Sequence, residues 1–365
     1  MTTYSIPDSQ LNPAVRLLWR GERCIQLELG ERSVVVEGIP AATVRALLSR
    51  TPSRTPSRTP ARTPGSPSEP APDSPSDPAD PRRDRDLIAP IRRAPTDGGF
   101  LWPRSTTDDD SRLTPPVPRL ASELAALTAS HGERATEVLS ARRYATVAVH
   151  GSGQVGAHIA AVLAAAGVGR TYLHDIREVR LSQAQPGGLS PSDEGSSAAS
   201  GAAAAIHRAA PEADTRRLST DERPDLVVLA DDDPVDPDRR DSLHARGAAH
   251  LLVQLGPMRG VVGPLVIPGL SSCLRCADLH RLDRDPAWTA LAVQLATPRR
   301  YRDGVPVALA TTIAGVAAMQ ALIYLDGGQP AVIDGTLELA LPQWQLRRRS
   351  WPIHPDCDCV GGRRD

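Results

Sequence analysis

Gly151-Ser-Gly-Gln-Val-Gly156 limits what this chain can fold into more than any other stretch, because of what flanks it. Directly before it runs Ala145-Thr-Val-Ala-Val-His150, an apolar strand pattern. Directly after it runs a largely apolar helical segment, His158 to Ala166. Glycines between a strand and a helix let the backbone approach a phosphate closely, and the helix N-terminus supplies free N–H groups and a positive dipole end. A second strand, Thr171 to His174, follows Gly167-Val-Gly169 and ends in Asp175, 24 residues after Gly151. That is near the spacing of about 20 expected for a ribose-binding carboxylate. Strand, loop, helix, strand and terminal acid together predict a Rossmann-like unit.

Further strands continue the pattern. Asp225 to Ala230 reads as a third, closed by Asp231-Asp-Asp233, and His250 to Leu255 as a fourth. Gly260 to Gly269 reads as a hairpin-like pair, so parallel units give way to antiparallel strands. Leu120, Leu124 and Leu127 recur at helical spacing, a second helix is expected over Arg134 to Leu139, and Thr311 to Leu322 is a long apolar helix. Arg347-Arg-Arg349 reads as a solvated strand edge.

Composition separates this core from the rest of the 365 residues. Prolines number 35 against 28 glycines, too many for one compact domain. The excess falls largely in 51–118, where Thr51-Pro-Ser-Arg54 recurs at 55–58 and, with Ala61, at 59–62, and Pro, Ser, Asp and Arg dominate. Such a segment cannot bury enough apolar surface to offset its chain entropy, so a disordered insert is expected, with Leu87-Ile88 and Phe100-Leu-Trp102 as its apolar spots. Residues 1–50 form a small N-terminal unit. Leu17 to Trp19, Ile25 to Leu29 and Val34 to Val36 read as short strands, and Val44, Leu47 and Leu48 as a helix stripe. Residues 119–365 form the main domain.

All 42 cationic Lys or Arg positions are Arg, and the formal net charge is −1. Chemistry that needs a Lys ammonium is excluded, and neither a nucleic-acid nor a polybasic membrane role is supported. Without a signal-like start, a cytoplasmic protein is expected. Five cysteines include two close pairs, Cys273-Leu-Arg-Cys276 and Cys357-Asp-Cys359. Four thiolates can close a tetrahedral structural zinc site; the one-residue spacing of the second pair leaves His354 as an alternative ligand. Cys24 is left over.

These residues resemble the ThiF/MoeB and ubiquitin-activating-enzyme family over about 144–360, on Gly151 to Gly169, Asp175, Val179 to Ser182, and Gly247 to Cys276. The stretch Cys273 to Arg281, Asp285-Pro-Ala-Trp288 and the end His354 to Cys359 are similar to actinobacterial ThiF-like proteins and to leader-peptide-binding relatives of azole-forming cyclodehydratases. The resemblance implies an α/β, Rossmann-like ThiF fold. Its sheet is mostly parallel, with added antiparallel strands and a zinc knuckle, and a small N-terminal β/α segment akin to a winged-helix-like peptide clamp precedes it. It implies ATP-Mg-dependent adenylation of the carboxylate of a small carrier protein or peptide, and a homodimer paired through a helix such as 311–322.

Carried over residue by residue, Gly151, Gly153 and Gly156 match the phosphate loop and Asp175 the ribose acid. Asp232 matches the metal-binding acid, with Asp231 and Asp233 as register alternatives. Two phosphate cations depart from the pattern: the family's Arg falls at Pro186 and its Lys near Ala198. Arg119, Arg142 and Arg143 are the nearest candidates for an Arg from an N-terminal helix. The vacancies imply a degenerate ATP site. The alternative is a non-catalytic protein that holds a precursor leader peptide for a separate modifying enzyme.

Overall fold

The computed structural model describes residues 9–11, 15–21, 24–29, 32–37, 101–103, 117–151, 154–219, 222–231, 235–296 and 305–360. The expected helix at 44–48, Gly153, Asp232 and nearly all of 51–118 lie outside them. The chain divides into two compact units, Met1–Glu137 and Val138–Asp365.

In the first unit, β1 (Ser9–Leu11) is followed by a three-stranded antiparallel meander, β2 (Arg16–Gly21), β3 (Cys24–Leu29) and β4 (Arg32–Glu37). The central strand alternates as its sequence requires: Ile25, Leu27 and Leu29 are buried, and Cys24, Gln26 and Glu28 are half-buried. Within the Pro-rich segment, β5 (Leu101–Pro103) pairs antiparallel with β1, Trp102 opposite Gln10. Helix α1 spans Ala121–His131, burying Leu124 and Leu127, and α2 spans Ala135–Tyr144.

The second unit is built on a seven-stranded sheet. Strands β6 (Thr146–His150), β7 (Arg170–His174), β8 (Leu226–Leu229) and β9 (His250–Gly256) are parallel. Strands β10 (Arg259–Val266), β11 (Gly335–Ala340) and β12 (Gln345–Ser350) add antiparallel ones, in the order β12-β11-β10-β9-β8-β6-β7. Alternation along the strands divides two cores. Val147, Val149, Leu226 and Val228 pack with α3 (Gly156–Ala165), α4 (Ala198–Ala209) and the long α8 (Val307–Leu325). Val227 and Leu229 join the cysteine cluster on the opposite face, beside Leu243 of α5 (Pro237–Ala245) and Leu274 of α6 (Leu274–Arg284). Helix α7 (Trp288–Ala296) follows α6. Helix α8 is long and apolar enough to cross a membrane, yet Leu309, Ile313, Ala317 and Ala321 are all buried in the first of these cores.

The sequence expectation fails at 260–269. No hairpin forms there; Arg259–Val266 is one strand, and its hairpin partner is β9. Gly263-Pro264, which reads as a turn, produces a register shift between Val262 and Leu265 instead. Gly263 has φ +103, and a Cβ there would meet the carbonyl oxygen of Gly335 at 2.6 Å.

Candidate nucleotide crevice and cysteine centre

The chain leaves β6 toward β7 on one side and reaches β8 on the other, so the carboxyl ends of β6 and β8 flank a topological switch point, where open α/β sheets bind ligands. Gly151 ends β6 with φ +98, and a Cβ on it would lie 2.6 Å from the Asp231 backbone. A Cβ on Gly156, the first residue of α3, would run into the Gly151 carbonyl oxygen. Val155 stands at the N-cap of α3 and makes no side-chain cap hydrogen bond to the first turn. Glycine at both positions is a steric requirement of this βα corner.

Asp175 lies just past β7, its side chain 4% exposed. Its Oδ1 accepts the Arg177 backbone N–H at 2.9 Å, closing an Asx turn that folds the guanidinium back. Arg177 Nε donates to the same carboxylate at 2.9 and 3.0 Å and Nη2 at 2.6 Å, and Nη2 also reaches Asp231 Oδ1 at 2.5 Å. Arg239 stands 4.0 Å from the other oxygen of Asp231. Hydrogen bonds to Asp175 and Asp231 raise the Arg177 pKa further, so it stays charged. One cation thus joins the acids that end β7 and β8. At the neighbouring strand ends, His150 and His174 stack edge to face with centroids 4.8 Å apart. Burial, His174, Arg239 and Arg217 push the His150 pKa down to about 3, so its ring is neutral.

The two positions where the sequence lacks a phosphate cation remain without one. Pro186 is exposed in a loop, and Ala198, fully buried, opens α4. Arg208, the next cation along, donates to the Gly188 carbonyl at 2.8 Å. Arg142 points elsewhere: it is 4% exposed and makes two 2.7 Å bonds to Asp326 and one of 2.9 Å to the Ala166 carbonyl. Sequence reasoning missed Arg177. Its only signal is the Asp175-x-Arg177 spacing just beyond a strand, which becomes a clamp only when the turn closes.

The second site is a cysteine centre. Cys273 and Cys276 flank the start of α6, and the C-terminal segment brings Cys357 and Cys359 against them. Sulfur–sulfur distances are 3.8 Å (273–276), 3.6 Å (273–357) and 3.5 Å (276–359). A tetrahedron with bonds of about 2.3 Å has edges of roughly 3.8 Å, so the set fits a four-thiolate metal ion. The Cys273 thiol beside it, against the opposing effect of burial, draws the Cys276 thiol below its ordinary range. His354 is not a fourth ligand in waiting. Its Nδ1 accepts the Asp356 N–H at 3.1 Å and its Nε2 meets Asp283 at 2.9 Å, so both ring nitrogens are used. His280, Asp283 and His354 also lie close enough together to hold an ion, but those hydrogen bonds already occupy the pair.

The geometry can be set beside known proteins. No curated protein sequence matches the chain. Among solved structures, E. coli MccB with succinimide superposes with a TM-score of 0.66 at 14% identity, over 98% of this chain and all of that one. E. coli MccB with ATP gives 0.64 at 14%, over 97% and 99%. Selenomethionyl PaaA gives 0.55 at 14%, over 74% and 95%. At such identity these likenesses establish the fold. The family model described as "ThiF family" matches residues 125–360, which span the glycine corner, the Asp175 strand end and all four clustered cysteines. With nearly two thirds of its length matched, the chain belongs to the ThiF family.

Proposed function

We propose that this protein is a ThiF-type adenylyltransferase that activates the carboxylate of a peptide or small carrier protein with ATP. The observation that carries the reading is the packing of Gly151 on Asp231 beside Asp175, at the switch point of a ThiF-family sheet. MccB, similar in fold, has been solved with ATP and with the peptide MccA. In the proposed reaction a carboxylate oxygen attacks the α-phosphorus, the bond to pyrophosphate breaks, and an acyl-adenylate and pyrophosphate form.

This chain's part would be binding and charge placement. The α3 N-terminus and the glycine corner would receive the phosphates, and Asp175 the ribose hydroxyls. Arg177 would turn from the two carboxylates to the phosphates as the nucleotide enters, in place of the cations absent at Pro186 and Ala198. Magnesium, when bound, neutralises phosphate charge. Its acid in this reading is Asp232, which follows β8 as the family's metal-binding acid does, with Asp231 and Asp233 as register alternatives. The four cysteines would hold a structural zinc, which leaves no position open for substrate. Pairing of two copies through α8, where Met319 is exposed, and a cytoplasmic setting complete the reading.

The same clamp favours a second reading. With Asp175 and Asp231 both neutralised from within, the protein would bind a leader peptide and leave catalysis to another enzyme. Pyrophosphate exchange with ATP, magnesium and candidate peptides, together with ATP-induced thermal shift, separates the two. Exchange supports the enzyme. Silence in both assays alongside peptide binding rejects it.

A further inference from the structure

The antiparallel strands carry a second built surface, remote from the glycine corner in sequence. Val253 and Val262 face the core that contains α8. The alternate residues Leu252, Gln254, Val261, Thr336 and Glu338 therefore line the opposite face, beneath a cavity of about 650 Å³. Five arginines and three carboxylates line that cavity. Three of the arginines are organised around buried Trp351. The guanidinium carbons of Arg281, Arg284 and Arg349 lie 5.1, 5.0 and 5.7 Å from its ring centroid, and Arg281 also lies 5.1 Å from that of Trp288. Cations held on an indole face keep their N–H edges available.

The carboxylates answer four of the five and leave Arg284. Glu338 serves Arg259 at 2.8 Å and Arg349 at 3.5 Å, Asp278 serves Arg281 at 2.9 Å and Arg240 at 3.6 Å, and Arg240 also meets Asp241, outside the cavity lining, at 2.8 Å. Asp285 accepts the Ala287 N–H at 3.0 Å, which commits it to the turn before α7. Arg284 has no ion pair among the described residues. A second hollow of about 430 Å³ shares Arg259, Glu338 and Arg349 with the first and adds Arg347. It runs along β12, whose six residues are all exposed and which is the outer strand of the sheet.

We propose that this arginine trough binds an acidic, extended peptide segment. Resting on the function proposed above, we identify that segment as the part of the substrate peptide or carrier that precedes the activated carboxylate. Spaced carboxylates would meet Arg284, Arg349 and Arg347, and the free edge of β12 offers main-chain hydrogen bonds to an extended chain. A continuous polyanion such as nucleic acid fits less well, because Glu338 and Asp278 stand in the wall and would repel unspaced phosphates.

The test uses the full chain and fluorescein-labelled decapeptides of alternating Glu and Gly, Gln and Gly, or Lys and Gly, read by anisotropy. The Glu peptide is expected to bind at least about ten-fold tighter than the Gln peptide, and to weaken as salt rises. The Arg284→Glu, Arg349→Glu double variant should lose at least about ten-fold for the Glu peptide and gain affinity for the Lys peptide. Should it melt early, the exposed single variant Arg284→Gln carries the comparison, with a smaller loss expected. Equal binding of the three peptides, unchanged binding in the variants, or tighter binding of an oligo-dT overturns the proposal. Pyrophosphate exchange is measured separately. Charge-swapped binding with neither exchange nor an ATP-induced thermal shift rejects adenylation and keeps the trough; exchange without charge dependence does the reverse.

Discussion

Arg177 lies across the carboxylate of Asp175, with Nε 2.9 and 3.0 Å from its two oxygens and Nη2 2.6 Å from one of them. This pair, two residues apart, sets the electrostatic state of the candidate crevice at the ends of β7 and β8. The acid that would receive a ribose is already satisfied, and the cation missing from two other positions is present here.

Replacing Arg177 by Ala is expected to weaken ATP binding by at least about ten-fold, since one charge-assisted phosphate contact contributes about 1.5–3 kcal/mol. Arg177→Lys should recover part of that loss. Isothermal titration with ATP and magnesium checks both. Tighter binding in Arg177→Ala would show the guanidinium to be a plug rather than a phosphate ligand.

Purified protein should carry about one zinc per chain, held by Cys273, Cys276, Cys357 and Cys359. Cys276→Ser is expected to lose the metal and to lower the melting temperature. Chelation of the wild type should do the same, because a structural site contributes its binding energy to folding. Elemental analysis and thermal melts with and without chelator measure this. A metal-free, equally stable wild type would reject the site.

Arg142 and Asp326, with side chains 5% and 7% exposed, tie α2 to the end of α8. Arg142→Ala leaves a buried carboxylate unpaired and should cost about 3–5 kcal/mol in urea unfolding. Arg142→Met with Asp326→Leu should cost much less than that single change, because no charge is then stranded.

His150 gives stability a pH dependence of definite sign. It is neutral when folded, with its pKa pushed down to about 3, and ordinary when unfolded, near 6.5. As pH falls below 6.5 the unfolded chain takes up a proton that the folded chain refuses. Stability should therefore fall from about pH 6.5 toward 3, by at most ~1.4 kcal/mol per pH unit from this group. His174, beside it, shifts in the same direction. Urea midpoints at pH 7 and 5 should differ less in His150→Gln than in the wild type.

Local pattern was enough to place the parallel half of the fold. Apolar runs at 145–150, 171–174, 225–230 and 250–255 and glycines at tight corners are short-range signals, and each became a strand or a βα turn. The cysteine pairs were legible for the same reason, since ligand spacing is written along the chain. Gly263-Pro264 was misleading because turn and bulge share the same residues, and only pairing with β9 distinguishes them.

What the sequence determined by itself was the family, the order of the core elements and the four thiols. What only the tertiary structure decided was which charges meet. His354 is excluded from the thiol set by bonds to Asp283 and Asp356, and Arg142 is turned inward by Asp326, 184 positions away. Arg177 reaches Asp231, 54 positions along, because β6 lies between β7 and β8. Charge pairing acts over a few ångströms in space and carries no period along the chain, so packing had to bring these groups together before their roles could be read.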